Sequence, residues 1–293
     1  DHIRLPDGRM VCAHGFTVCG LCTVDYSFMD ELEDEPEDQA PGLGPDGGSG
    51  LLSVPLFDEP DERRVKVRQD GIQLAHRFFS DSEPKQLYFI DLVPDLNDGL
   101  YNVRFFHQRK SGETIIFTDG CCIDNGRDSA RAAWGFAHRR ANAAKGITGG
   151  LGGRLEKQGP TGEVHPQTSN RAELRAVIAA LEVRSWWGEG IRMLTIATDS
   201  SYVVEGITHH IRKWAFTMPE SARWKTAARK PVKNRDLWET LLAQVQGADR
   251  IGLKIQFWLI PRSWNTLAHN QANEAVAEPF PEMWTQVVAV APF

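Results

Sequence analysis

Short apolar runs that stop abruptly at polar residues dominate the chain from residue 113 onward. They are rich in β-branched and aromatic residues, which is typical of buried strands. Five strands are predicted in this way, at 114–119, 132–137, 154–157 after a glycine-rich turn at 146–153, 193–198 and 253–259. After Asn170 the apolar residues recur at helical spacing instead, so a helix is predicted to begin near Asn170.

Three acids occupy comparable positions at the ends of these elements. Asp119 and Asp199 each follow an apolar strand, and Glu173 lies in the first turn of the helix. Taken singly, Asp119 could begin a turn, and Glu173 could pair with Asn170 as a helix cap. If the three acids converge, they repel one another unless cations lie among them. Oxygen ligands suit Mg²⁺ or Mn²⁺, and a pair of such ions can support hydrolysis of a phosphodiester.

Composition is that of an ordinary globular protein. The chain has 293 residues, of which 41% are hydrophobic and 25% charged, and its net charge is −6. It has no apolar run of about eighteen residues, so we expect no membrane span. Acids followed by Pro and Gly at 30–50 predict a linker, or a loop within a structured N-terminal region. Residues 51–112 form an irregular region of unknown role, with strand-like patches near 87–90 and 103–106, and residues 279–293 form a C-terminal tail.

Five cysteines, an odd count with two of them adjacent, favour a reducing compartment. We therefore expect an intracellular protein, nuclear or cytoplasmic, with a mitochondrial destination left open. Within residues 1–29, Cys12, His14, Cys19 and Cys22 supply a ligand set for one tetrahedral Zn²⁺. The alternative is that they are small buried residues of an irregular segment. A zinc segment would fold only with its metal and could dock a protein partner.

A basic segment stands out in this acidic chain. Between residues 209 and 235 there are eight Lys and Arg residues against the single acid Glu220, and tryptophans interleave with them. Bases that neutralise phosphates and rings that pack on sugars or bases are typical of nucleic-acid binding, whereas a solvated helix face usually mixes charge signs. The predicted contact residues are Lys213, Trp214, Trp224, Lys225, Lys230 and Lys233.

Several ordered motifs in the chain resemble the type 1 ribonuclease H family. They are FTDGCCIDNG at 117–126, TSNRAEL at 168–174, TDSSYV at 198–203, WKTA at 224–227 and KPVKNRDLW at 230–238. The resemblance covers about residues 113–278 and leaves the cysteine-rich N-terminal segment outside. It implies an α/β fold of the ribonuclease H type, a mixed five-stranded sheet flanked by helices. It also implies an endonuclease that cuts the RNA strand of an RNA–DNA hybrid with two divalent ions.

The resemblance assigns nucleic-acid contacts by position. The backbone at Asn125 and Gly126 and the side chain of Asn170 would touch the RNA minor groove, where 2′-hydroxyls distinguish RNA from DNA. Thr168 and Asn234 would grip a DNA phosphate away from the cut. Ordinary turn and cap roles are the alternative for these polar residues.

Metal ligands are implied in the same way, with one departure from the family pattern. Asp119 would bridge both ions, and Glu173 and Asp199 would hold the ion nearer the leaving group. The family has a fourth acid, which would hold the other ion, but this chain has His269 at the corresponding position. Imidazole can ligate a divalent ion, although it is neutral and softer than a carboxylate.

Three interpretations of His269 stay open. It ligates an ion directly, which predicts activity that tolerates or prefers Mn²⁺. It leaves that ion to water and Asp119, or the register differs and Asn270 or Asn273 serves instead. The alternative to all three is a surface histidine at the beginning of a helix.

Two classes of function are therefore compared. The first is an endoribonuclease that hydrolyses the RNA strand of RNA–DNA hybrids by a two-metal mechanism. The second is a catalytically weak or inactive module that binds hybrids or duplex RNA, with the zinc segment as an interaction site. The retention of Asp119, Glu173 and Asp199 favours the enzyme, because a binding module has no use for their mutual repulsion. The oligomeric state stays open.

Overall fold

The computed structural model describes residues 2–4, 10–12, 74–94, 101–141, 148–217 and 219–288. The strands in these ranges are β1 (His2–Arg4), β2 (Met10–Cys12), β3 (His76–Phe78), β4 (Tyr88–Pro94), β5 (Tyr101–His107), β6 (Glu113–Ile123), β7 (Arg131–Ala137), β8 (Gly150–Arg154), β9 (Met193–Thr198) and β10 (Lys254–Leu259). The helices are α1 (Pro84–Leu87), α2 (Ser169–Glu182), α3 (Ser201–Glu205), α4 (Ile211–Phe216), α5 (Arg235–Arg250) and α6 (Thr266–Ala275). A π-helical turn spans Gly206–His210, and 3-10 turns span Glu220–Ala222 and Arg262–Trp264.

One mixed sheet organises the fold. Strands β3, β10, β9, β6, β5 and β4 lie side by side in that order, while β7 pairs with β6 and β8 pairs with β7. The β6–β9, β9–β10 and β10–β3 pairs are parallel, and the other pairs of this sheet are antiparallel. Strands β1 and β2 form a separate antiparallel pair. Helices α2 and α6 pack against β6 and β7 and place two of the predicted site residues near the sheet.

The expected mixed sheet is confirmed, and its five predicted strands correspond to β6 to β10. Three further strands come from residues before 113. Strand β3 pairs with the edge of β10. The strand-like patches near 87–90 and 103–106 are parts of β4 and β5, which form an antiparallel hairpin beside the start of β6. Much of the region between 74 and 112 therefore belongs to the sheet itself.

The third predicted strand lies earlier than the pattern indicated. We expected it at 154–157 after a glycine-rich turn, but β8 spans Gly150–Arg154. A Cβ on Gly150 would stand 1.7 Å from the carbonyl oxygen of Phe136, and one on Gly152 would stand 2.5 Å from that of Gln271. The glycines thus permit close packing of β8 against β7 and α6. In the sequence, glycines that serve such packing look the same as glycines of a turn.

Strand β6 is buried over nearly its whole length, and its alternate residues serve different layers. Ile116 belongs to the larger core together with Leu174 and Ile178 of α2. Ile115 and Phe117 belong to a second cluster that includes Ala268 of α6. Asp119 lies on the same face as these last residues, so it points toward the α6 side of the sheet.

The C-terminal segment packs back on the domain. The backbone N–H groups of Lys157 and Gln158 donate to the carbonyls of Pro281 and Glu282. Arg175, which is fully buried in α2, donates to Glu156 and to the carbonyl of Thr285. Its guanidinium also lies 4.0 Å from the ring centroid of Trp284 and 5.0 Å from that of Trp134. Residues 281–288 therefore form part of the domain's packing.

Candidate active site

Asp119 and Glu173 are brought together by a glycine. Asp119 lies within β6 and is 1% exposed, and Gly120 follows it on the opposite face. A Cβ on Gly120 would stand 2.3 Å from the backbone nitrogen of Glu173, so only glycine lets α2 approach β6 so closely. The helix predicted to begin near Asn170 begins at Ser169, and its N-cap residue is Thr168, not Asn170. Glu173 is therefore not a partner of Asn170 in a capping pair.

Asp199 joins the pair from the end of β9. It comes directly after the strand, and Asn265 fixes its orientation by donating from Nδ2 to Asp199 Oδ1 over 2.6 Å. The same amide group donates to the carbonyl of Thr118 over 2.9 Å. Asn265 is fully buried, so it ties the middle of β6 and the end of β9 to the beginning of α6. No local pattern in the sequence indicates this role of Asn265.

His269 reaches the same cluster from α6. Its Nδ1 lies 2.8 Å from Oδ2 of Asp119, and Nδ2 of Asn273 lies 2.8 Å from its Nε2. A Cβ on Gly135, which faces Asp119 across the β6–β7 ladder, would stand 2.4 Å from the backbone nitrogen of Ala272. Glycine at this position therefore lets α6 lie close enough for His269 to reach Asp119. If Nδ1 carries the proton, Nε2 accepts from the Asn273 amide.

The electrostatics of the cluster follow from burial and mutual repulsion. Burial raises the pKa of Asp119, and the charge of Asp199 raises it further, against the hydrogen bond from His269. Burial also raises the pKa of Glu173 well above its usual range, and the charges of Asp119 and Asp199 add to the effect. The acids therefore influence one another strongly enough to count as one site.

The donor set fits hard divalent cations. Asp119 Oδ1 and Glu173 Oε2 are buried without a hydrogen-bond partner, and a buried carboxylate oxygen without a partner is costly. Oxygen ligands of this kind suit Mg²⁺ or Mn²⁺. In this conformation, however, the described residues contain no group of three His, Cys, Asp or Glu side chains already arranged to hold a metal ion. One oxygen each of Asp119 and Asp199 is instead engaged by His269 and Asn265.

The two residues assigned to phosphate binding meet at Arg171. Its backbone N–H donates to Oγ1 of the N-cap Thr168 over 3.3 Å, and its guanidinium donates to Oδ1 of Asn234 over 3.4 Å. The same guanidinium is held by Asp236 through two bonds of 2.9 and 2.7 Å. Asn234 has a positive φ of 56° and donates to the hydroxyl of Tyr202. Thr168 and Asn234 are thus both tied to Arg171, and both are half-buried.

The residues assigned to the minor groove lie at the beginning of the same helix. Asn125 Oδ1 accepts from the backbone N–H of Ser169 over 3.3 Å, which joins the turn after β6 to α2. Asn125 is buried, whereas Gly126 is exposed at a φ of 83° and has open space around it. Asn170 is half-buried on the first turn of α2.

The basic segment presents lysines to solvent but keeps one tryptophan inside. Trp224 is 8% exposed and belongs to the larger core, so its ring has little surface to offer a nucleic acid. Trp214 is half-buried, and its ring lies 5.6 Å from that of Trp238. Both rings pack on the domain, and while Trp224 is too buried to contact a nucleic acid, the half-exposed Trp214 stays a predicted contact. The exposed bases of this segment are Lys213, Lys225, Arg229, Lys230, Lys233 and Arg235.

The zinc prediction falls almost entirely outside the described residues. Cys12 ends β2, but His14, Cys19 and Cys22 are not described, so the zinc site stays a prediction. Cys121 and Cys122 are buried, and burial raises the pKa of each thiol to about 12. None of the described helices has the length and apolar character needed to cross a bilayer.

The sequence is similar to that of known proteins over the region that carries the acidic cluster. The RNase H family model matches residues 111–256, which include Asp119, Glu173 and Asp199 but not His269. The chain is 38% identical over 128 residues to a ribonuclease H of Treponema pallidum, covering 44% of this chain and 70% of that protein. It is 41% identical over 135 residues to a ribonuclease H of Zymomonas mobilis, covering 46% and 70% respectively.

Among solved structures, a ribonuclease H from Halobacterium salinarum is 21% identical, with 56% of this chain and 98% of that chain covered at a TM-score of 0.33. The Treponema and Zymomonas relatives are each matched over 70% of their length, at 38% and 41% identity. The family model spans the strands and the helix that carry the acidic cluster. The chain therefore belongs to the ribonuclease H family.

Proposed function

We propose that the protein is an endonuclease that hydrolyses the RNA strand of RNA–DNA hybrids with divalent metal ions. The observation that carries this proposal is the convergence of Asp119, Glu173 and Asp199, in which two buried carboxylate oxygens lack hydrogen-bond partners. Unpaired buried acceptors cost stability, and divalent cations among the three acids would supply the partners that these oxygens lack. Two relatives that bear the name ribonuclease H support the same conclusion.

The proposed ligands of two Mg²⁺ or Mn²⁺ ions are Asp119, Glu173, Asp199 and His269. When bound, such ions activate a water molecule and stabilise the leaving oxygen of a phosphodiester. Asn265 holds Asp199 in place, and Asn273 holds His269, so the chain itself sets the directions of these two groups. Burial of Asp119 and Glu173 keeps water from screening the site.

Substrate binding is proposed for the surfaces on either side of the cluster. The backbone at Gly126 and the side chain of Asn170 are accessible for minor-groove contacts. Thr168 and Asn234, joined through Arg171, are proposed to hold a phosphate. The exposed lysines of the basic segment add attraction for the duplex backbone, which is expected to weaken as salt rises.

The test is cleavage of a labelled RNA–DNA hybrid with Mg²⁺ or Mn²⁺. We expect the RNA strand to be cut internally, the DNA strand to stay intact, and Asp119→Asn to abolish the reaction. A DNA duplex and a duplex RNA of the same sequence serve as matched substrates. An intact RNA strand with either metal, in a preparation that binds the hybrid, would contradict the proposal.

His269 supports a second candidate, a weakly active or inactive module that binds hybrids or duplex RNA. Its ring forms a hydrogen bond with Asp119 at the position where the family carries a fourth acid. In that case binding of the hybrid persists while cleavage is absent or equal to that of Asp119→Asn. The zinc segment would then be the interaction site, and zinc content below half an equivalent in the purified protein would count against that segment.

A further inference from the structure

Helix α6 carries the histidine of the cluster together with an amide one turn later. His269 and Asn273 have the spacing that places two residues on the same side of a helix. Nδ1 of His269 lies 2.8 Å from Oδ2 of Asp119, and its Nε2 lies 2.8 Å from Nδ2 of Asn273. Both ring nitrogens are therefore engaged, one by the acidic cluster and the other by this amide.

These two hydrogen bonds define which ring nitrogen carries the hydrogen. Nδ2 of an asparagine amide can only donate, so Nε2 of His269 accepts. A neutral imidazole has a single N–H, which is then on Nδ1 and donates to Asp119. In this arrangement neither nitrogen has a lone pair left for a metal ion.

Ligation of an ion by His269 requires the opposite arrangement. Nδ1 is the nitrogen that faces Asp119, whereas Nε2 faces the exposed Asn273. An ion shared with Asp119 is therefore within reach of Nδ1, and a histidine nitrogen ligates only without its hydrogen. The hydrogen of the ring must then be on Nε2, where it needs an acceptor.

Asn273 can supply that acceptor from the place where it already lies. Half a turn of its amide about the last side-chain bond exchanges Nδ2 for Oδ1, so that the group that donated now accepts. An amide can do both, whereas a carboxylate only accepts and an ammonium group only donates. Asn273 is exposed, which leaves room for this rotation.

The other amide at the cluster lacks this freedom. Asn265 is fully buried, and its Nδ2 donates both to the carbonyl of Thr118 and to Asp199. Half a turn of this amide would place Oδ1 against two oxygen acceptors and would break both bonds. Of these two amides, only Asn273 can therefore change from donor to acceptor.

We propose that Asn273 is the positioning residue that admits His269 to the metal site. It donates to Nε2 of His269 in the metal-free protein and accepts from Nε2–H when Nδ1 binds an ion. One hydrogen leaves Nδ1 for water and one from water joins Nε2, so the ring stays neutral. The proposal rests on the proposed nuclease function and adds a residue that sets the affinity for the ion at His269.

The first test is NMR of the ring nitrogens at pH 8, with isotope-labelled histidine in the full chain. There are nine histidines, and the spectrum of His269→Ala identifies the signals of His269. We expect the hydrogen on Nδ1 without metal and on Nε2 at saturating Mg²⁺. A hydrogen on Nε2 already in the metal-free protein, or on Nδ1 in both states, would overturn the proposal.

The second test is titration with Mg²⁺, followed at the His269 signals, which gives the Kd of the ion at this residue. Asn273→Ala should weaken binding about 10-fold, the lower end of the range for such outer partners, because water can replace an exposed amide. Asn273→Asp only accepts, so its Nε2 should carry a hydrogen without metal, and Mg²⁺ should bind at least as tightly as in wild type. Melting temperatures check that the variants fold.

Thr266→Asp is the matched control for charge. Thr266 is exposed on α6 one turn before His269, so the variant adds the same charge without a bond to the ring. We expect its Kd to stay close to that of wild type. An unchanged Kd in Asn273→Ala, or equal tightening in both Asp variants, would show that the hydrogen bond of Asn273 does not set the affinity.

Cleavage of the hybrid by the same proteins distinguishes this proposal from the nuclease function. If wild type leaves the hybrid intact while the hydrogen of His269 and the Kd values respond as expected, the nuclease function fails and the role of Asn273 stands. If wild type cuts the hybrid and the Asn273 variants equal it in Kd and in rate, the nuclease function stands and the role of Asn273 fails.

Discussion

Two buried acids lie on the same face of β6, one at its first residue and one six residues further along, and their surroundings differ. Glu113 is 4% exposed, and its Oε1 accepts from the hydroxyl of Tyr88 over 2.6 Å and from Nε2 of Gln256 over 3.2 Å. Asp119 is 1% exposed, and its Oδ1 has no hydrogen-bond partner. The two acids are separated by about 20 Å of strand.

The difference shows how a structural acid can be told from a functional one. Glu113 is enclosed by a network that also joins Thr195 to Tyr88 over 2.8 Å, and Lys110 lies 3.7 Å from its Oε2. This network attaches the β4–β5 hairpin to the sheet. Asp119 instead faces the charge of Asp199, and although His269 bonds to its Oδ2, its Oδ1 keeps no partner. Burial alone is common to both, and the partners decide the role.

The largest effect is expected at Asp119, the functional acid of this pair. Asp119→Asn should reduce hybrid cleavage about 1,000-fold or more, because metal binding supplies several kcal/mol of transition-state stabilisation. Its stability without metal should equal or exceed that of wild type, since one repelling charge is removed. Glu113→Gln is the matched control and should cleave normally while losing stability. Equal loss of cleavage in both variants would contradict the distinction.

A smaller effect is expected at His269. If His269 is a ligand, His269→Ala should lower activity about 10- to 100-fold and alter the metal concentration that gives half-maximal rate. His269→Asp, which supplies a hard carboxylate, should raise activity with Mg²⁺ relative to Mn²⁺. Rates over a series of metal concentrations measure both effects, with the exposed His209→Ala as control. Unchanged metal dependence in His269→Ala would remove His269 from the ligand set.

At Glu113, the structural acid of this pair, Tyr88→Phe should destabilise without affecting the chemistry. The substitution deletes the hydroxyl that donates to Glu113, leaving a buried carboxylate short of one donor. A cost of about 1 to 3 kcal/mol in the free energy of unfolding is expected. Urea unfolding measures it, and kcat per folded molecule should be unchanged. A fall in kcat at wild-type stability would show that the two acids of β6 are not independent.

The smallest effect concerns pH in the absence and presence of metal. The pKa values of Asp119 and Glu173 are raised by burial, so the folded state holds their protons more tightly than the unfolded chain. Their contribution to stability is present at low pH and is lost as pH rises through the raised pKa values. Mn²⁺ should therefore raise the melting temperature more at pH 8 than at pH 5. This account would be contradicted if Mn²⁺ raised the melting temperature of wild type equally at both pH values. It would also be contradicted if Mn²⁺ raised the melting temperature of Asp119→Asn as much as that of wild type.

Most elements of the domain could be predicted from local pattern. The runs ending at Asp119 and Asp199 are strands because their β-branched residues alternate between two buried faces. Helix α2 (Ser169–Glu182) follows from the helical spacing of the apolar residues after Thr168. The strand β8 was misplaced because Gly150 and Gly152 serve close packing, and the pattern of a strand and that of a turn coincide there.

Contacts between distant residues could not be predicted in the same way. The pattern gave no reason to expect Asn273 behind His269, or Asn265 between Thr118 and Asp199. Trp224 was expected on the nucleic-acid surface because aromatic residues among bases favour binding, but its ring lies in the core. Burial of a single ring depends on what the rest of the chain places against it, which local spacing does not encode.

The sequence by itself determined which side chains are available and where along the chain the strands and helices form. Periodicity placed acids at the ends of two strands and in the first turn of a helix, and motif order indicated the family. Only the tertiary structure decided which oxygens find partners: Glu113 is satisfied by Tyr88 and Gln256, while Asp119 and Glu173 keep unpaired oxygens. The reason is that strand pairing and close approach at glycines set distances between residues far apart in the chain, such as Asp119 and His269.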